Sequence, residues 1–275
     1  MKGGAVITVE KLTHQLRTLG LAAGDTVMVH ASLRALGPVE GGADGVMAAL
    51  LASVAPGGTV MAMVSWAHSP YEETLNGKQM STEEQDAWPA FDPKTAPPEP
   101  EYGVLNSALL RVAGVERSNH PDSSMAAVGP HAAYLTHPHP KDDAYGPGSP
   151  LERLVNMGGK VLLLGAPLDA VTVLHYAEAL ADIPNKRRVT YEVPVLDAKG
   201  RKVWQQVSEW DSNGILDCYA AEDGMDAVEQ IARDYVADGR HREGVTGATK
   251  SHLFEAADIV KYGVRCLKNA TDSGA

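Results

Sequence analysis

Cysteine is nearly absent from this chain: among 275 residues there are two, Cys218 and Cys266, far apart in sequence. They make neither a disulfide framework nor a metal-binding spacing, so a reducing cytoplasm is the expected environment. No run of about 18 apolar residues occurs, which leaves no candidate for a membrane-spanning helix. The opening Met1-Lys-Gly-Gly-Ala-Val-Ile7 is too short and too soon polar to read as a signal peptide. Excess positive charge is lacking too. With 24 Lys and Arg against 35 Asp and Glu, the formal net charge is −11, so nucleic acid is not the expected partner. An acidic balance serves solubility, and in a cleft it also raises the local concentration of a cationic ligand.

Familiar chemical motifs are missing as well. There is no Gly-x-Gly-x-x-Gly and no Walker A loop, and Gly158-Gly159-Lys160 lacks the upstream glycine that a phosphate loop needs. The absence of a Gly-x-Ser-x-Gly elbow speaks against a Ser-His-acid hydrolase. His137, His139 and His241 offer a His-x-His pair without a third ligand at a known spacing, so no metal is expected.

What is there reads as a globular α/β chain. Hydrophobic residues make up 44% and charged residues 21%, ordinary values for a folded domain. Leu12, Leu16 and Leu19 recur at helical spacing before Gly20. Short apolar, β-branched runs at 26–31, 59–64, 123–128 and 160–165 read as strands, and 43–54, 102–113, 150–157 and 170–182 as helices. Segments 188–196 and 201–209 read as a hairpin, and helices are expected near 225–237 and 252–268. The expected fold is a single domain with a central mixed β-sheet flanked by helices, ending in a flexible tail at 269–275. The stretch 67–101 breaks the pattern with six prolines and eight acidic residues. A long aperiodic insert is often functional, and Trp66, Tyr71, Trp88 and Phe91 give it apolar anchors, so an ordered lid is expected.

The helix expected after the strand 160–165 carries the most information. Thr172, His175 and Glu178 are spaced by three residues, which aligns them along one helical face. The segment leaves the end of a buried strand, where α/β proteins bind ligands. A histidine suits proton transfer near neutral pH, and a carboxylate one turn away can orient it. The same spacing also suits a polar His-Glu pair on a surface helix, and spacing alone does not choose.

The segment Leu162-Leu-Leu-Gly-Ala-Pro-Leu-Asp-Ala-Val-Thr-Val-Leu-His-Tyr-Ala-Glu178 resembles the signature of the aminoglycoside 3-N-acetyltransferase family. So do Val29-His-Ala-Ser-Leu-Arg-Ala-Leu-Gly37, Phe91-Asp-Pro93, Arg117-Ser-Asn-His-Pro121, Ser149-Pro-Leu151, and Gly244-Val-Thr-Gly247 followed by Ala257-Asp258. These motifs run in order from about residue 9 to 268, and a collinear set is more specific than any one member. The resemblance implies direct acetyl transfer from acetyl-CoA to the 3-amino group of a 2-deoxystreptamine ring, hence antibiotic resistance. It also implies a fold distinct from GNAT acetyltransferases. Arg17-Thr-Leu-Gly-Leu-Ala22 fits the GNAT pattern R-x-x-G-x-A, but it closes an expected helix instead of opening one.

Residue roles follow from that resemblance. His175 is the expected general base. Glu178 is the first choice to orient it, though a more distant carboxylate could do so, and Thr172 or a backbone N–H would hold the oxyanion. Ser32, Leu33 and Arg34, after the first strand, offer N–H groups and charge to a CoA phosphate. Arg117, Ser118 and His120 form a second candidate CoA loop. Ser149 is an expected N-cap that the family places near CoA. A polycationic substrate asks for carboxylates: Asp92, Asp169, Asp211, Asp217, Glu222 and Asp223 are candidates, with Trp66 as a stacking surface. The alternatives are an acetyl-CoA-dependent enzyme for another small amine and a non-catalytic binder of cations. A homodimer is compatible with the sequence, which does not fix the oligomeric state.

Overall fold

The computed structural model describes residues 6–211, 225 and 227–273, with side chains to 270. Nine strands lie among the described residues: β1 (Thr26–Ala31), β2 (Thr59–Met63), β3 (Glu116–Arg117), β4 (Met125–Val128), β5 (Lys160–Leu164), β6 (Arg188–Leu196), β7 (Lys202–Trp210), β8 (Arg242–Thr246) and β9 (Thr249–Glu255). Seven of them form one mixed sheet in the order β3-β4-β2-β1-β5-β9-β8, and β6 and β7 form a separate hairpin. The central strand β1 runs parallel to both β2 and β5, whereas β4, β9 and the two edge strands pair antiparallel to their neighbours.

Strand alternation sorts the core into two layers. Val27 and Val29 of β1, with Leu162 and Leu164 of β5, face the helices Val9–Leu19, Gly42–Val54 and Val104–Leu110. Met28, Val161 and Leu163 face the helices Pro150–Asn156, Leu174–Leu180, Ala227–Ala237 and Ala256–Ser273. A parallel pair covered on both faces explains why 160–165 reads as an unbroken apolar run. Gly20 closes the first helix, donating its N–H to the Leu16 and Arg17 carbonyls at φ 126°, so the R-x-x-G-x-A match is a helix terminus. No helix among the described residues is long and apolar enough to cross a membrane.

Several boundaries differ from expectation. Residues 249–255 form β9, because β-branched and aromatic residues there pair with β5, and the last helix begins only at Ala256 and continues through 269–273 to Ser273. The segment 67–101 contains the short helices Tyr71–Thr74 and Thr82–Ala87, the second opened by a Ser81–Glu84 capping box. Trp66 and Phe91 are buried against Tyr191, Val193, Val195 and Val207 of the hairpin, with Tyr71 and Trp88 packed beside them. The Phe91 N–H donates to the Pro194 carbonyl at 2.7 Å. Segment and hairpin thus share a third, smaller core.

The turn between β8 and β9 is tied to the segment after β1. Gly247 donates its N–H to Gln15 Oε1 at 3.0 Å, and Ala248 donates to the Leu36 carbonyl at 2.9 Å. Gly247 sits at φ +61°, and a Cβ there would lie 2.4 Å from the Leu36 carbonyl oxygen. Gly247→Ala therefore meets both an unfavourable backbone conformation and a clash with backbone. Urea unfolding should show a loss of more than about 1 kcal/mol, beyond the usual penalty for alanine at positive φ.

Candidate active site

The two central parallel strands end side by side, with Ala31 in register with Leu164 and Ser32 donating its N–H to the Leu164 carbonyl at 3.0 Å. After β1 the chain turns into the short helix Leu33–Leu36, capped by Ser32 Oγ. After β5 it passes Gly165, Pro167 and the 3-10 turn Leu168–Ala170 before the helix Leu174–Leu180. That helix is shorter than the 170–182 expected, and Thr172 precedes it. The spacing argument still holds, because His175 N–H donates to the Thr172 carbonyl at 3.0 Å. In such a tight turn, residues three apart eclipse one another.

His175 Nδ1 lies 3.1 Å from Glu178 Oε2, with the imidazole 27% and the carboxylate 2% exposed. An ionised carboxylate accepts there, so Nδ1 carries the proton and Nε2 is the basic nitrogen. The Tyr145 ring stacks on the imidazole, centroids 5.1 Å apart and planes 29° apart. Lys186 Nζ donates to the carbonyls of Glu178, Ala179 and Ala181 at 2.8, 2.9 and 3.1 Å. It places a cation at the negative end of the helix that carries both residues.

Two clefts meet at this histidine. The first, of about 750 Å³, is lined by Ser32, Leu33 and Arg34, by Met63 and Tyr102, and by Asp169, Thr172 and His175. The second, of about 410 Å³, is walled by Glu72, Glu73 and Glu99 from the 67–101 segment, by Asp122, and by Glu209 and Asp211 at the end of the hairpin. Tyr102, Tyr145 and His175 line both.

The second cleft is electrostatically mismatched. Asp122 accepts a hydrogen bond from Ser69 Oγ at 2.7 Å, yet burial and the nearby Glu99 push its carboxyl above the usual range. Glu209 is 7% exposed, and its Oε2 has no hydrogen-bond partner. Burial, then the Asp122 carboxylate, raise its carboxyl to about 8, against partial relief from Arg188. Asp211 instead pairs with Arg187. Crowded, desolvated carboxylates of this kind are relieved by an incoming cation.

The other expected site residues fall elsewhere. Arg117 lines neither cleft. It is buried, donating from Nε to Ser124 Oγ at 3.1 Å and from its two terminal nitrogens to the carbonyls of Ala96 and Ser65. Ser118 Oγ accepts from the Met125 N–H and contacts His139 Nδ1, while His120 Nδ1 accepts from the Ser123 N–H. Ser149 caps the helix Pro150–Asn156. Arg117, Ser118 and His120 are turned inward because the loop 117–124 folds back on β4, and Ser149 is engaged as a helix cap. Asp92 accepts from the Lys94 N–H at 2.9 Å and from Thr95 Oγ1 at 3.3 Å, closing its own turn outside both clefts. Asp169 lines the first cleft and not the acidic one, and Trp66 lines the acidic one. Asp217, Glu222 and Asp223 lie outside the described residues. His137 and His139 do not converge: both nitrogens of His139 are engaged, by Ser118 Oγ and the Ala144 carbonyl, whereas His137 faces Glu116 on the surface.

Sequence reasoning missed Asp122, Glu209, Glu99, Tyr102 and Tyr145. One signal was available. Val207 and Glu209 are two apart on β7 and both point inward, and a glutamate at an inward hairpin position is out of pattern.

A histidine ordered by a carboxylate, between a long cleft and an acidic one, suits group transfer to a cationic acceptor, and known proteins carry the same architecture. A family model described as aminoglycoside 3-N-acetyltransferase matches residues 28–268. Aminoglycoside N(3)-acetyltransferase III of Serratia marcescens is 58% identical over 261 residues, covering 95% of this chain and 97% of the relative. The structure of AAC-VIa bound to sisomicin superposes with a TM-score of 0.92 at 49% identity, covering 97% and 99% of the two chains. That of AAC-IIIb, binary with CoASH, gives 0.89 at 39% identity, covering 97% and 98%. The fold is therefore that of an acyltransferase class outside the GNAT fold. Within that class, the chain belongs to the aminoglycoside 3-N-acetyltransferase family.

Two outcomes follow from the site as built. Arg117→Leu should destabilise the protein by several kcal/mol in urea unfolding, at about 1–3 kcal/mol for each buried acceptor left unpaired. Glu209 binds its proton more tightly folded than unfolded, so without ligand its contribution to stability falls as pH rises from about 4.5 toward about 8. Urea midpoints of Glu209→Gln across that range should lack this decline.

Proposed function

We propose that this chain transfers the acetyl group of acetyl-CoA directly to the 3-amino group of the 2-deoxystreptamine ring of an aminoglycoside, with His175 as general base. The observation that carries this reading is the position of His175 where the two clefts meet. The first cleft takes the pantetheine arm and phosphates of CoA. The turn at Ser32, Leu33 and Arg34 offers N–H donors and a guanidinium, where helix starts and basic groups favour anions. The acidic cleft takes the ammonium groups of the antibiotic, led by Asp122 and Glu209.

The chemistry follows from the tautomer. The acceptor amine must be neutral to attack the thioester carbon. As the C–N bond forms, His175 Nε2 takes the amine proton, and Glu178 stabilises the imidazolium across the Nδ1–H bond. The tetrahedral oxyanion requires a donor, and Thr172 Oγ, in the same cleft, can supply it alongside a backbone N–H. Collapse expels the CoA thiolate, which receives the proton. Cys266, the cysteine among the described residues, lies on the last helix and lines neither cleft, which favours direct transfer over an acyl-enzyme.

Release of free CoA thiol from acetyl-CoA, followed across a panel of aminoglycosides, tests the activity. Product NMR should place the acetyl group on the 3-amino nitrogen, and substrates lacking that amine should be inert. His175→Ala should lower kcat by roughly 10²–10⁴-fold, the usual contribution of a positioned base. A near-normal rate in that variant would remove His175 from the mechanism and leave the activity standing. Asp122→Asn should mainly raise KM for the antibiotic. Acidification below about 8 should raise KM by protonating Glu209, an effect that Glu209→Gln should blunt.

A further inference from the structure

Two histidines at the outer edge of the sheet have no part in this chemistry. His241 immediately precedes β8. Glu243 lies two residues on, and His252 of β9 stands in register with Glu243. Residues two apart on a strand and directly opposite on its neighbour share one face. The two imidazole centroids are 5.1 Å apart, and one ligand atom from each of His241, Glu243 and His252 can be chosen so that all lie within 4.8 Å of one another.

The cluster is built and internally unsatisfied. The His241 side chain is 6% exposed; its Nδ1 has no hydrogen-bond partner, and its Nε2 meets Glu243 Oε2 at 3.5 Å. Nδ1 of His252 is likewise shut from water without a partner. Buried polar atoms are rarely left in this state. Phe254 supplies an apolar floor, its ring 5.9 Å from His241 and 6.1 Å from His252.

We propose that His241, Glu243 and His252 form a binding site for a divalent transition-metal cation of the zinc class. Two imidazoles and a carboxylate suit zinc, cobalt or nickel, whereas calcium and magnesium prefer all-oxygen sites. Zinc–nitrogen and zinc–oxygen bonds of about 2.0–2.2 Å place three ligand atoms of a tetrahedron roughly 3.3 Å apart, so the three ligand atoms, now within 4.8 Å of one another, close in on binding. A water completes the shell. Lys250 Nζ lies 3.1 and 3.2 Å from the Glu243 oxygens and is 61% exposed, so metal binding exchanges a weak surface ion pair for a coordinate bond. None of the three ligands lines either cleft. The ion therefore clips β8 to β9 and stabilises the folded state by mass action, without entering acetyl transfer. The sequence hid this site because its third ligand, His252, lies across a strand pair from the other two and not at a local spacing.

The test uses the full chain with Co²⁺ as probe. One equivalent should produce the visible absorption of four-coordinate cobalt, bleached by Zn²⁺. Zn²⁺ should raise the thermal midpoint, and a chelator should reverse it. Glu243→Gln, on the surface and harmless to the core, should weaken Co²⁺ binding at least tenfold, as should His252→Gln. Lys250→Met should tighten it by removing the competing ammonium. Absence of the visible band in the unaltered chain overturns the proposal. So does a band and midpoint shift that persist undiminished in both ligand variants, since the chain has 10 histidines and the metal would then sit elsewhere.

Discussion

The parallel pairing of β1 with β5 is the constraint on which everything else hangs. Both strands are buried on both faces, so neither can slide in register without moving an entire apolar set out of its layer. Their ends are therefore fixed relative to each other, and the backbone bond from Ser32 to Leu164 fixes the exits of the two loops. One loop carries the turn 32–34, and the other leads through Thr172 into the helix that carries His175 and Glu178. Helices packed on opposite layers hold each loop from behind. The precision of the site is the precision of a strand pair, not of the loops themselves.

The two clefts differ because their walls come from different parts of the molecule. The first is built on the ends of β1 and β2 and the segment after β5, with residues 101–104 and Tyr145 closing it. The second borrows its carboxylates from three places: the 67–101 segment, the loop after β3, and the last residues of β7. A small separate core around Trp66, Phe91 and Tyr191 holds the outer wall in place. The two clefts thus differ in charge, and Tyr102, Tyr145 and His175 line both of them.

Much of this was legible in the residues. The mixed sheet, the hairpin and the placement of His175 beside Glu178 follow from apolar runs, turn residues and a three-residue spacing. The failures have physical causes. His252 to Glu255 look like the start of an amphipathic helix until β5 offers a partner. Arg117, Ser118 and His120 sit in a loop whose polar residues would ordinarily face outward, and here they are buried with hydrogen bonds to the framework, which the sequence did not signal. Asp122 and Glu209 escaped notice because an acidic cleft is assembled across 87 residues of sequence from members that are individually unremarkable.

Ser65, two residues beyond β2, sits at φ 38°, a conformation that residues with side chains seldom adopt. Arg117 holds its carbonyl, and the same guanidinium holds Ala96 on the far side of the acidic wall. That wall is stapled at one end by Arg117 and rests at the other on β6 and β7, which join no strand of the main sheet. Evolution is thereby given a fixed jaw and an adjustable one. A substitution on the hairpin side alters the acidic cleft without reaching the strands that align His175.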